Sequence, residues 1–349
     1  MQLPNTDCSV AFAKKYLEDL QESKPKTKVV EVDFTVRRRQ GIAKELLSSL
    51  RSMSAKSWTK TETLLAQEIL LHDIDADLID PWQVSGGIHK VYKYAIEAYA
   101  AQHPPVQLVT QVSPILGKTR QEITAIDARA IGYVAMQYHY TGMQLVEMLP
   151  EDEKPNFATY VKVLDDHLYM PLQRAYKAAG KHSADSVTLQ AVQVMMSNVD
   201  GIAQRIVERV NRLYPRYRCY SGLLSEAPIQ TSSIRDVEMI QVYMWVCLLE
   251  GNLQALQEEL FPLCVMIYPR LNVSWELVRQ MTYLLSQEMR TCLSPEQAKT
   301  CELYYAILTA MFSPEVFPNS VIAPPKDADI NTVDIDIDID IDIDIDIDN

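Results

Sequence analysis

Arg235 and Asp236 stand side by side in "TSSIRDVEMIQVYMWVCLLEG", residues 231–251, just past two serines and just before a long apolar run. A fixed cation beside an acid can do two kinds of work. It can hold a polar ligand through charge-assisted hydrogen bonds. It can also start a helix. Ser233 at the N-cap would accept from the backbone N–H three residues on, and Asp236 would reach back, a capping box with aspartate in place of glutamate. An acid in the first turn also suits the helix dipole. The two roles are compatible, and the sequence favours capping.

Other residues with chemical potential form weaker patterns. Asp73, Asp75 and Asp77 in "LLHDIDADLIDPW" alternate like calcium ligands. An EF-hand loop needs glycine at its sixth position and glutamate at its twelfth, where this chain has Leu78 and Val84. Asp80 before Pro81 reads as a helix stop and turn. The six histidines never pair at i, i+3 or i, i+4. His167 in "DDHL" could supply a metal ligand, but a partly exposed helix face is the simpler reading. His139 is the first candidate for an axial haem ligand, and a single histidine specifies nothing. Glu147 and Glu151 do not form the Glu-x-x-His motif of di-iron bundles. There is no glycine-rich phosphate loop and no GxSxG. Arg37–Arg38–Arg39 could meet an anion or acidic partner, or simply begin a solvated helix against its dipole. Neither a reaction nor a metal is expected.

These residues must be positioned by helices. The 349-residue chain is 48% hydrophobic and 23% charged, a globular mixture. It has only 10 glycines, about half the usual share of ~7%. Its 18 prolines fall mostly between periodic segments. The net charge of −13 sits largely in the tail. Without its ten aspartates and Lys326, 36 acids face 32 bases, so nucleic acid is not indicated as a partner. The six cysteines show no CxxC pair, which suggests a reducing compartment. The N-terminus lacks a signal-peptide pattern, and no run approaches the ~18 apolar residues of a membrane span. A soluble, cytoplasmic protein is expected.

The spacing predicts a short amphipathic helix and a basic loop over residues 1–35, then helices ending at Pro104–Pro105, Pro150 and Gly180. "RQEITAIDARAIGYVAMQYHYTGMQLVEML" reads as one helix, and so does "NFATYVKVLDDHLYMPLQRAYKAAG", with Gly180 as a left-handed C-terminal residue. A single helix is predicted from about Ala184 to Leu213, because Val192, Met195, Val199, Ile202, Ile206, Val210 and Leu213 form one continuous stripe. Further helices are predicted from Ile234, near Pro262, from Ser274 and from Ser294. The last has Pro295 at its first position and Gln297 completing a capping box. The Asp–Ile alternation from Asp334 to Asp348 puts all carboxylates on one face of a strand. Their repulsion predicts disorder at neutral pH, no packed role, and aggregation on acidification.

Residues 233–278 resemble the phycobiliproteins, the globin-like subunits of cyanobacterial and red-algal phycobilisomes. The register is carried by Arg235–Asp236, by Gly251 fifteen residues after that aspartate, by Glu258 with Glu259, and by Tyr268 and Leu271. The preceding segment through "RLYPRYRCYSG" extends the resemblance over roughly Ser183 to Phe317. A fainter upstream copy has Arg129, Ile131, Gly132, Tyr133, Tyr140 and Tyr176 on similar positions. Asp127 and Gly142 are again fifteen apart. The resemblance implies an all-α fold of two globin-like domains in tandem, residues 36–182 and 183–317. An N-terminal extension (1–35) and a tail (318–349) flank them. An unrelated helical extension in front of one such domain stays open.

In that family the bilin hangs from a cysteine three residues before the aspartate. This chain has Ser233 there, and Asp127 or Thr124 upstream. Cys219 would have to replace the missing thiol from another loop. The resemblance therefore implies a non-enzymatic phycobilisome-related binding, assembly or regulatory protein without a covalent chromophore. It would dock on antenna proteins or on itself, in the cytoplasm or at the thylakoid surface. The alternatives are a sensor holding a tetrapyrrole non-covalently, with Arg235 on a propionate and Asp236 on the pyrrole nitrogens, and a helical scaffold unrelated to antennae.

Overall fold

The computed structural model describes residues 32–318; the expected N-terminal helix and loop, and the Asp–Ile tail, lie outside them. The first half contains α1 (Val32–Leu71), a 3-10 turn (Ala76–Ile79), α2 (Pro81–Ala100), α3 (Pro105–Thr124), α4 (Ala130–Glu147), α5 (Lys154–Tyr169) and α6 (Leu172–Ala179). The second contains α7 (Val187–Ser197), α8 (Val199–Leu213) and a two-residue hairpin, Arg218–Cys219 with Gly222–Leu223. It continues with α9 (Ala227–Glu250), a π segment (Ala255–Leu260), α10 (Phe261–Arg270), α11 (Trp275–Cys292) and α12 (Pro295–Met311). The chain is all-α, as composition and periodicity imply.

α1 is 40 residues long and lies against α2 and α4. Its inward face carries Leu46, Leu50, Ser54, Ser57, Thr61, Leu64 and Leu65, spaced close to the helical period. The small polar residues on that face meet Gln137 of α4, which accepts from Thr61 (3.2 Å) and donates to the Ser54 carbonyl (2.8 Å). A buried amide with both ends engaged fixes the register of the two helices at little cost. The basic run at the start of α1 finds its acidic partner inside the chain. Arg38 makes a bidentate pair with Asp152 (2.6 and 2.8 Å) and Arg39 holds Glu153 (3.1 Å).

In the second half α9 is the central element, packed on α8, α7, α6 and the π segment. From Val237 to Leu249 every residue is buried. Burial on all sides explains why this run shows little amphipathic period. α11 packs on α8 and α12, and α12 on α7. The halves share one continuous apolar core. α10 reaches α1 and α4, and Gly132 of α4 faces Leu263 and Ile267 of α10. A Cβ at Gly132 would collide with the side chains of Leu263 and Ile267.

Several helix boundaries differ from the sequence expectation. The Ala184–Leu213 helix bends at Asn198, whose φ of −115° breaks the ladder and whose side chain donates to the Val194 carbonyl (2.8 Å). The stripe holds through Val210, but Leu213 is exposed. The segment from Arg120 divides at residues 125–129, where the Asp127 carboxylate accepts from the Arg129 backbone and guanidinium. The segment ending at Gly180 divides at Met170–Pro171. Gly180 itself is right-handed (φ −65°), whereas Gly251 takes the left-handed C-terminal role at φ 66°. Asp80 starts a helix, accepting from the Trp82 and Gln83 N–H groups. The box of Ser294 with Gln297 and Pro295 forms as its spacing requires.

Candidate functional site

The Arg235–Asp236 pair does not cap a helix. α9 begins eight residues before Arg235, at Ala227, with Pro228 fixing the first turn after the extended Glu226. Proline pre-sets φ for a helix start and outcompetes Ser233, which lies inside the helix. The pair therefore sits in the middle of a long helix, where side chains at 235 and 236 reach toward the first half.

Arg235 points at α4 and α5. Its Nη1 lies 3.7 Å from Asp165 Oδ2 and 3.1 Å from His139 Nδ1, and its guanidinium stacks 4.9 Å over the Tyr169 ring. His139 Nδ1 is only 2.7 Å from the same Asp165 oxygen. That distance makes Nδ1 the protonated nitrogen, donating to the carboxylate, so the Arg235 N–H is directed at Asp165 as well. Asp236 Oδ1 accepts from the Tyr169 hydroxyl at 3.2 Å. Burial pushes the Asp236 carboxyl up to about 6, against the pull of Arg235 and Tyr169. Burial opposes the charge of Arg235, but Asp165, Tyr169 and Asp236 together hold it firmly cationic. Cys219, on the small hairpin, has its thiol pKa raised by burial and then by the Asp236 charge. A thiol kept protonated is a poor nucleophile.

One turn farther along α9, Glu238 meets Lys162 of α5. Lys162 Nζ lies 2.9 Å from Glu238 Oε2 and 3.0 Å from Asp166 Oδ2. Asp200 of α8 adds a third carboxylate. Two acids on one ammonium, with Asp200 beside Glu238, leave excess negative charge in a desolvated place. Burial first, then Asp200 and Asp166, drive Glu238 up to about 8 against the pull of Lys162. The acids in turn keep Lys162 charged.

A third cluster joins α3 and α6 to the end of α9. Arg120 is buried and donates to the Leu168 and Tyr169 carbonyls (2.9 Å each), to Glu259 (3.0 Å) and to the Tyr243 hydroxyl. Arg174 clamps Glu250 (2.6 and 2.8 Å) and Glu259 (2.6 Å). The three clusters form one ionic belt between the halves, with the cations Arg120, Lys162 and Arg174 supplied by the first half and Arg235 by the second.

The other sequence candidates do not converge. In "DDHL", Asp165 faces His139, Asp166 faces Lys162, and His167 turns inward to donate to the Val163 carbonyl (2.8 Å). Burial lowers the His167 pKa and so disfavours the charged ring. Asp73 and Asp77 are exposed, and Asp75 instead caps the 3-10 turn by accepting from the Asp77 N–H. Among the described residues no group of three or more acids, histidines and cysteines is placed to hold a metal. No described helix is long and apolar enough to cross a membrane. His139 serves Asp165 and Arg235. Arg120, Lys162, Arg174, Glu238 and Glu250 went unremarked in the sequence, and Glu259 entered only through the family register. For Glu238 a signal existed: a lone acid inside the run "VEMIQVYMWVC".

The two fifteen-residue spacings also occupy different structural places. Asp127 lies in a loop before α4 and Gly142 inside it, against Tyr92 and Val161. Asp236 lies within α9 and Gly251 ends it. Compared with known proteins, the chain matches no family model, no curated protein and no solved structure.

Proposed function

We propose that this chain is a non-enzymatic binding or assembly protein of the phycobilisome, built on phycobiliprotein-like helices and lacking a covalent bilin. The reading rests on the register of Arg235, Asp236, Gly251, Tyr268 and Leu271. The observation that carries it is the fate of the pair. Asp165, His139 and Tyr169 of the first half take up the guanidinium and carboxylate that would otherwise serve a chromophore. Charges already held by protein groups gain little from a tetrapyrrole, which would have to compete with Asp165 and Tyr169 for them. The position joins two helical halves instead. Ser233 offers no thiol, and the Cys219 thiol is kept protonated.

A docking role also has surface support. Leu70, Leu71 and Ile126 are strongly exposed where the Arg129 guanidinium donates to the His72 carbonyl (2.9 Å). Clustered exposed apolar side chains mark contact surfaces more often than single ones. The proposed partners are antenna subunits or a second copy, at the cytoplasmic face of the thylakoid.

The test is to express the full chain in a bilin-making host and record its visible spectrum before and after denaturation and gel filtration. The expected result is a colourless protein that co-sediments with antenna complexes, with co-sedimentation lost in Leu71→Glu. Colour that survives denaturation would overturn the proposal. Colour lost only on denaturation would favour the non-covalent sensor.

A further inference from the structure

We infer that the groove between α8 and α11 is a docking site for the chain's own Asp–Ile segment, residues 334–348. The groove, about 390 Å³, is lined by Arg209, Arg212, Leu213, Gln280, Tyr283 and Leu284, with Gln287 at its end. Its α8 wall is basic and its α11 wall is apolar and amide-bearing. Leu213 is 56% exposed and Tyr283 50%, so both present apolar surface outward. Arg212 is exposed and has no carboxylate partner among the described residues. Arg216 and Arg218 continue the basic surface just beyond α8 and are exposed in the same way. Arg209 already shares Glu288 with Arg205, at 3.2 and 2.8 Å, and forms the inner edge.

Two features select the occupant. The first is where the described chain stops. Phe317 stacks on Trp275 of α11 (3.9 Å between ring centres), and its carbonyl accepts from Arg279 (3.2 Å). Trp275 and Arg279 belong to the same helix as Gln280 and Tyr283, so the last described residues pack on an element that also lines the groove. The stretch from Pro318 to Asp334 can span about 55 Å when extended, far more than the groove requires. The second is chemical complementarity. Strict alternation gives a strand one face of isoleucines and one of aspartates. Laid along the groove, the isoleucines meet Leu213, Tyr283 and Leu284 while the aspartates meet Arg209, Arg212 and Arg216. Mutual repulsion among the carboxylates opposes order in isolation, and arginines interleaved with them relieve it. This reading is independent of the phycobilisome proposal and gives the repeat a packed role that its composition alone does not suggest.

The test places the photo-crosslinker p-benzoylphenylalanine at Tyr283 in the full chain. After irradiation the product is run on a denaturing gel and mapped by mass spectrometry. The expected result is a monomeric product joined to residues 334–348. Its yield should fall roughly fivefold in Arg212→Glu and in 1 M salt, and recover in Arg212→Lys. Circular dichroism checks that the variants keep their helices, as expected for an exposed arginine. A dimer-sized product would overturn the intramolecular assignment. Absence of any tail adduct, or a yield indifferent to both salt and Arg212→Glu, would overturn the proposal itself.

Discussion

Glu238→Gln should stabilise this protein at high pH, although it removes a charge from an apparent ion pair. The wild-type carboxyl rises from 4.5 to about 8 in the folded chain, chiefly through burial and then through Asp200 and Asp166. A carboxyl with a raised folded pKa binds its proton more tightly folded than unfolded. Stability is then highest below pH 4.5 and falls as pH climbs toward 8. The full interval corresponds to at most about 5 kcal/mol at 1.36 kcal/mol per pH unit. The pull of Lys162 at 2.9 Å is already contained in that interval, and relaxation with water entry around the buried carboxylate reduces the realised span to about 2–3 kcal/mol. Glutamine mimics the protonated acid. At pH 5 the variant should match wild type within about 1 kcal/mol, and at pH 9 it should exceed it by about 2–3 kcal/mol. Lys162 stays charged throughout this window, held by Asp166 (3.0 Å), and adds no slope. Asp236 and His167 titrate in both proteins, so the difference curve isolates Glu238. The assay is urea unfolding followed by circular dichroism at pH 5, 7 and 9. A variant less stable than wild type at pH 9, or one with the wild-type slope between pH 5 and 8, would refute the reasoning.

Arg235→Met leaves Asp165 almost fully buried with His139 alone, and should cost about 2–4 kcal/mol. The guanidinium is itself 22% exposed, which keeps the loss below that of a sealed pair. Thermal melting measures it, and Arg235→Lys should recover part of the loss without recovering the stacking on Tyr169. Gly251→Ala forces an alanine to φ 66° in otherwise open space, so strain alone should lower stability by about 1 kcal/mol in urea titration. Ser294→Ala removes one half of the α12 capping box and should cost about 1 kcal/mol, with amide exchange quickened at residues 296–298. Gly132→Val overpacks the contact of α4 with α10 and should cost about 1–3 kcal/mol, seen as a lowered melting temperature.

Much of the architecture follows from local sequence. Scarce glycine, proline punctuation and 3–4 spacing dictate a helical chain, and Ser294, Pro295 and Gln297 dictate where α12 begins. These signals are legible because each is a bond or a steric preference within a few residues. Arg235 and Asp236 could be picked out for the same reason: two charges stand at the edge of an apolar run. What they do could not be read there. The helix start moved to Ala227 because Pro228 fixes φ more strongly than a serine can cap, so the capping box never forms. Asn198, residues 125–129 and Met170–Pro171 interrupt stripes whose period continues unbroken, since periodicity records which face is buried and not whether the axis bends. The partners of Arg235 lie 70 and 96 residues away, and those of Glu238 and Glu259 are as remote. Only folding brings Asp166 and Glu238 together on Lys162, or Asp165 between His139 and Arg235. A charge carries its chemistry in its type, which the sequence states, but its ionisation and its role depend on how much water and which neighbours remain, and those the tertiary structure decides.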